Sequence, residues 1–169
     1  MNDKWTNYMS DSKIIAIDPG KNGGIAVFSV DKDALIDVAP MPDTPHDVLN
    51  FITHYQNNSK CYLERVQGIP GMGATAMFNF GQGFGQLEMA LLCRHIPTIE
   101  VTPQKWQKEL QLGVKGHNTT NEWKTKLKMR AQQLYPRVEQ QFNIKNKTEW
   151  LRVSDALLIL EYARRQEIK

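Results

Sequence analysis

Cysteine is nearly absent. Cys61 and Cys93 are the only two in 169 residues, too few for the disulfide framework of a small secreted scaffold. Each lies in an apolar run, so two reduced, buried thiols are expected. No stretch approaches the roughly 18 consecutive apolar residues that span a bilayer, and no membrane partner is expected. The polar first twelve residues lack the pattern of a secretory leader, which points to a cytoplasmic protein. There is no internal repeat, and no Gly-x4-Gly-Lys-Ser/Thr loop of the kind that cradles nucleotide phosphates. What is present, 41% hydrophobic and 23% charged residues, is the composition of a globular chain rather than a disordered one. Its length suits one domain, expected over 13–169 after a flexible tail at 1–12.

Charge is modest in sum, +3, but unevenly placed. Residues 102–152 hold eleven basic side chains against four acids, whereas the remainder holds ten against fourteen. A basic half beside an acidic half suits a nucleic-acid enzyme with an acidic cleft. A solvated, lysine-rich helix face explains the same numbers equally well.

Along the chain, short β-runs at 14–17, 25–30 and 35–39 are separated by Asp18-Pro19-Gly20, Gly23-Gly24 and Asp31-Lys32-Asp33, which read as the turns of a meander. A helix over 45–55 follows, capped by Thr44. A strand at 60–63 ends in Glu64, and a glycine-rich loop at 67–75 leads to a longer helix at 77–94. That helix contains Gly81, Gly83 and Gly85, each costing about 1 kcal/mol relative to Ala, a pattern that suggests close approach of another backbone or of a ligand. A strand at 97–101, a helix from Thr102 or Pro103, a loop at 113–118, a helix opening at Thr120 and a strongly apolar helix at 153–164 complete the pattern. The fold class expected is α/β, with a mixed sheet of five strands flanked by helices.

Three acids stand at telling places. Asp18 ends the first strand, Glu64 ends the fourth, and Asp155 lies in the first turn of the last helix. An acid on the margin of a buried element is costly unless paired, hydrogen-bonded or metal-bound. If the first and fourth strands are neighbours, Asp18 and Glu64 share a crevice that the last helix reaches with Asp155. Clustered carboxylates attract hard divalent cations, Mg2+ or Mn2+. Two such ions about 4 Å apart activate water for phosphodiester hydrolysis. Taken singly, each acid also reads as a cap or turn residue. A nucleotide site of the actin or sugar-kinase kind needs a second domain, for which this chain has no room.

The segments Ile-Ala-Ile-Asp-Pro-Gly (15–20), Asn-Gly-Gly-Ile-Ala (22–26), Leu-Glu-Arg-Val-Gln (63–67), Met-Phe-Asn-Phe-Gly (77–81), Val-Thr-Pro-Gln-Lys-Trp (101–106) and Ser-Asp-Ala-Leu-Leu-Ile-Leu (154–160) resemble, in order, those of the RuvC-type Holliday-junction resolvases of phages, bacteria and organelles. The resemblance implies a ribonuclease-H-like fold, a homodimer, and Mg2+-dependent paired symmetric nicking of four-way DNA junctions in a bacterial or phage-infected cell, an organelle origin staying open. It matches Asp18, Glu64 and Asp155 to metal-ligating catalytic acids, with two Mg2+ ions per site. It also matches the helix bearing Phe84, Leu87, Met89 and Leu91 to the dimer-forming region. Such proteins commonly carry an Asp or His one helical turn before the last acid, where this chain has Arg152. Either Glu149 supplies the fourth catalytic carboxylate, the reading preferred, or three acids suffice, or catalysis is weakened.

For branched DNA, phosphate contacts are expected from Arg65, Lys105, Lys108, Lys115, Lys124, Lys128, Lys147 and Arg152. Met72, Phe78 and Phe80 are candidate wedges between base pairs, although interface packing suits both phenylalanines better. Dimer contacts are expected from Phe84, Leu87 and Leu91. Trp106, Trp123 and Trp150 read as core or interface residues. Two other functions compete with junction resolution: a less selective branched-DNA or flap nuclease, and a catalytically weakened junction-binding structural protein, motivated by Arg152.

Overall fold

The computed structural model describes residues 11–68 and 71–167. In chain order the elements are β1 (Lys13–Asp18), β2 (Gly24–Ser29), β3 (Ala34–Pro40), α1 (Pro45–His54), β4 (Ser59–Glu64), α2 (Ala74–Cys93), β5 (Thr98–Val101), α3 (Pro103–Glu109), α4 (Thr120–Leu134), α5 (Val138–Gln141) and α6 (Lys147–Glu167). The five strands form one sheet in the order β3-β2-β1-β4-β5. The pairs β1–β2 and β2–β3 are antiparallel, and β1–β4 and β4–β5 are parallel. With six helices among the described residues about this mixed sheet, the architecture is α/β and ribonuclease-H-like.

Alternation along the strands divides the core into two layers. Ile14, Ala16, Ala26, Phe28 and Tyr62 face α6, with Trp106 of α3 and Leu127 of α4 behind it. Ile15, Ile17, Ile25, Val27, Cys61 and Leu63 face α1 and α2. Side chains of successive strand residues point to opposite faces, so β1 and β2, buried on both, are apolar over Ile14–Ile17 and Ile25–Phe28. Helix α6 lies between the sheet and α4, which is why Ala156, Leu157, Leu158, Ile159 and Leu160 are all buried. Removing one such side chain, as in Leu157→Ala, costs about 2–5 kcal/mol.

Two helix starts and the exposure of one cysteine differ from the sequence expectation. Helix α6 starts at Lys147, because the Asn146 side chain accepts the Glu149 N–H at 3.0 Å and caps it. Helix α2 starts at Ala74, and the Cβ positions of Gly81, Gly83 and Gly85 meet nothing within 4 Å, so packing within this chain does not require them. Cys93 is exposed rather than buried. Of the expected tail, residues 1–10 lie outside the described residues. Its last two are anchored: Ser29 Oγ donates to Asp11 at 2.6 Å, and the Val30 N–H to the Ser12 carbonyl at 2.8 Å.

Candidate functional site

The acid cluster follows from strand register. Parallel pairing sets Ile17 opposite Leu63, so the next residues, Asp18 and Glu64, leave adjacent strand ends. Two positions earlier, Ala16 and Tyr62 face α6, and by the period of the strand both carboxylates do so too. Gly24 lets α6 come this close. A Cβ there would stand 2.9 Å from the carbonyls of Ala39 and Arg152, and 3.2 Å from the Val153 Cα. One turn beyond this contact, α6 presents Asp155. At the other side of Asp18, Gly20 turns the chain with a φ of +102° and Gly23 closes the turn onto the Gly20 carbonyl at 2.9 Å.

Each acid feels burial and its neighbours. Asp18, 9% exposed, is held well above the usual carboxylate range by burial first and then by the charges of Asp155 and Glu64, with Lys124 opposing. Glu64 is pushed up to about 7, chiefly by burial; the Trp106 hydrogen bond opposes this, Asp155 adds to it, and Lys124 opposes it. Burial raises Asp155 as well, again against Lys124. The partners are specific. Trp106 Nε1 donates to Glu64 Oε2 at 2.8 Å, and the Lys124 ammonium lies 3.6 Å from Asp155 Oδ2. The cluster therefore carries its own compensating cation and an indole donor.

The expected Mg2+ pair is not supported by this arrangement. Among the described residues, no group of three or more His, Cys, Asp or Glu is disposed to hold a metal ion. The physical reason lies in the partners above: Glu64 is turned to the Trp106 indole and Asp155 to the Lys124 ammonium. The donor set does not fit the cation, and Mn2+ as a substitute falls with it. Glu149, the expected fourth carboxylate, is engaged locally. Its Oε2 accepts the Lys145 N–H at 2.7 Å, in the first turn of α6.

Arg152 is tied down by structure. Its Nη2 donates to the Lys21 carbonyl at 3.0 Å and the Met41 carbonyl at 3.1 Å, which fastens the turn after Asp18 and the segment after β3 to α6. Lys105, Lys108, Lys115 and Lys147 are exposed, and Lys128 is half-buried. Arg65 is paired with Glu100 at 3.6 Å, so it is not a free cation beside the acids. Among the wedge candidates, Phe78 is 69% exposed, Met72 is half-buried, and Phe80 lies against Gly20. Leu87 and Leu91 point into this chain's own core, and Phe84 packs against its edge. The apolar side chains that α2 exposes are instead Phe78, Met89 and Leu92.

Trp106 is the site residue that sequence reasoning missed, being taken for core. It is core, 1% exposed, but its one polar atom is spent on Glu64. The available signal was a tryptophan one turn into a helix that follows β5, the strand beside β4.

No family model and no curated protein matches the sequence. Solved structures do match. The structure of Thermus thermophilus RuvC superposes with a TM-score of 0.56 and 15% identity over 91% of this chain and 96% of that one. T. thermophilus RuvC in complex with Holliday junction substrate gives 0.54 and 15%, over 92% and 96%. The chain thus has the RuvC form of the ribonuclease-H-like fold over nearly its whole length.

Proposed function

We propose that this protein binds branched DNA, four-way junctions in particular, and that its capacity to cut them is weakened. Support comes from the RuvC fold, whose T. thermophilus example is found with a Holliday junction, and from the basic stretch at 102–152, which supplies exposed lysines on α3, on α6 and in the loop before α4. The observation that carries the second half is the acid cluster itself. Lys124 and Trp106 already occupy the carboxylates that a cation would need, and Arg152 serves as a clamp between two loops. In this reading the cluster is a compensated polar floor beneath bound DNA.

Band-shift and strand-cleavage assays on a synthetic mobile junction, a linear duplex, a flap and a fork test both halves. The expected result is salt-sensitive binding that favours the junction, with little cutting whether Mg2+ or EDTA is present. Equal affinity for linear duplex would refute junction selectivity. Rapid, symmetric paired nicking in Mg2+ would refute weakened catalysis.

A further inference from the structure

On the sheet face away from the acids, a cavity of about 990 Å3 lies between α1, α2, the β1–β2 turn and the segment after β3. That is at the upper end of the range in which small ligands bind, roughly 300–1,000 Å3. Its walls are apolar, with Met41, Val48, Leu49 and Phe80, and the amides of Asn22, Asn79 and Gln86 stand among them. Amides offer donors and acceptors together. Lys21, Asp43 and Arg94 line it as well, Arg94 standing at the far end of α2 from Phe80, its Nε buried with no hydrogen-bond partner among the described residues.

Two further observations bear on what enters. Residues 66–87 contain no charged side chain, although most of the first half of α2 is exposed. A helix uncharged on its open side is not built to face water alone. The cavity also shares a wall with the acid cleft, since Gly20, Lys21 and Asn22 lie in the turn that follows Asp18. The Phe80 ring lies close enough to Gly20 that a Cβ there would meet it at 2.9 Å.

A matching ligand is flat and apolar on its faces, amide-like along its edges and negative at one end. A nucleobase with its phosphate has these properties. A phosphate backbone alone leaves the apolar walls unused. We infer that this cavity receives an unpaired nucleotide of the bound DNA, its base between Phe80 and the amides and its phosphate toward Lys21. The inference rests on the branched-DNA reading and names the strand feature that this reading leaves open.

Gly83 lines the cavity, and a Cβ on it meets nothing within 4 Å. Gly83→Leu therefore fills the space while favouring the helix. Gly81, equally open but outside the cavity, gives the control Gly81→Leu. The probes are duplexes with a one-nucleotide bulge, either carrying a base or abasic, alongside a fully paired four-way junction. The wild type is expected to bind the base-containing bulge about tenfold more tightly than the abasic one. Gly83→Leu removes that difference and Gly81→Leu keeps it. Equal affinity of the wild type for the two bulges, or an unchanged preference in Gly83→Leu, would overturn the inference. So would a Gly83→Leu chain whose only change is its mass in solution, which would mark the groove as a contact between copies. Junction binding without any base preference sinks this inference alone. Loss of junction preference, with the base effect intact, sinks the broader reading instead.

Discussion

Helix α6 meets charge at both ends, and the two ends are solved differently. Near its C-terminus, Glu161 accepts from Arg164 at 3.2 Å and from Arg165 at 3.0 Å, and Arg164 reaches Asp33 at 3.1 Å. Arg164 also lies 4.2 Å from the centroid of the Phe28 ring. Two acids are matched there by two arginines. Toward the N-terminus, Asp18, Glu64 and Asp155 share one ammonium, from Lys124. The first arrangement holds the helix to the sheet. The second leaves carboxylates raised above their ordinary range, by burial more than by anything else.

Several substitutions would break or sharpen this contrast. The largest effect is expected from Gly24→Ala, which forces the acid end of α6 off the sheet because the new Cβ meets backbone at 2.9 Å. Denaturant unfolding should show a loss of about 3 kcal/mol. At the balanced end, Glu161→Gln takes the carboxylate from Arg165 and leaves Arg164 paired with Asp33. A loss of about 2 kcal/mol is expected, moderated by the partial exposure of the arginines, and it should shrink in high salt.

Glu64→Gln should have the opposite sign. Its folded pKa, about 7, lies above the ordinary 4.5. The wild-type group thus contributes stability that is full below pH 4.5 and is lost as the pH rises through 7. A glutamine still accepts the Trp106 hydrogen bond and avoids that loss. At pH 8 the variant should be more stable by about 1–2 kcal/mol, and thermal melts below pH 4 should show no gain. The smallest effect is expected from Lys124→Gln. It worsens the imbalance by about 1 kcal/mol at pH 8, since the lysine is partly solvated. If this variant were instead more stable, Lys124 would not be the compensating cation.

How much of this was legible in the sequence depended on the kind of signal. The apolar runs ending in Asp18 and Glu64 placed both acids at strand ends, and the parallel pairing of β1 with β4 turned that into proximity. The apolar periodicity of α6 announced the helix, but not its first turn, because Lys147, Thr148 and Glu149 are polar. That hid the cap at Asn146. Side-chain partners were not legible. Nothing local says that Trp106 points its N–H at a residue 42 positions away, or that Arg152 spans to Lys21 and Met41. Leu87 and Leu91 carry the same apolar signal whether they face a second chain or their own core, and only the placement of α1 against α2 decides.

The central claim is that the acid cluster is compensated from within, by Lys124 and Trp106, and does not take up a divalent cation. Thermal unfolding at pH 8, in EDTA and in millimolar Mg2+, tests it most directly, because a ligand bound only by the folded state raises the midpoint. The account predicts the same midpoint in both solutions. A saturable rise with Mg2+ that disappears in Asp18→Asn would contradict it.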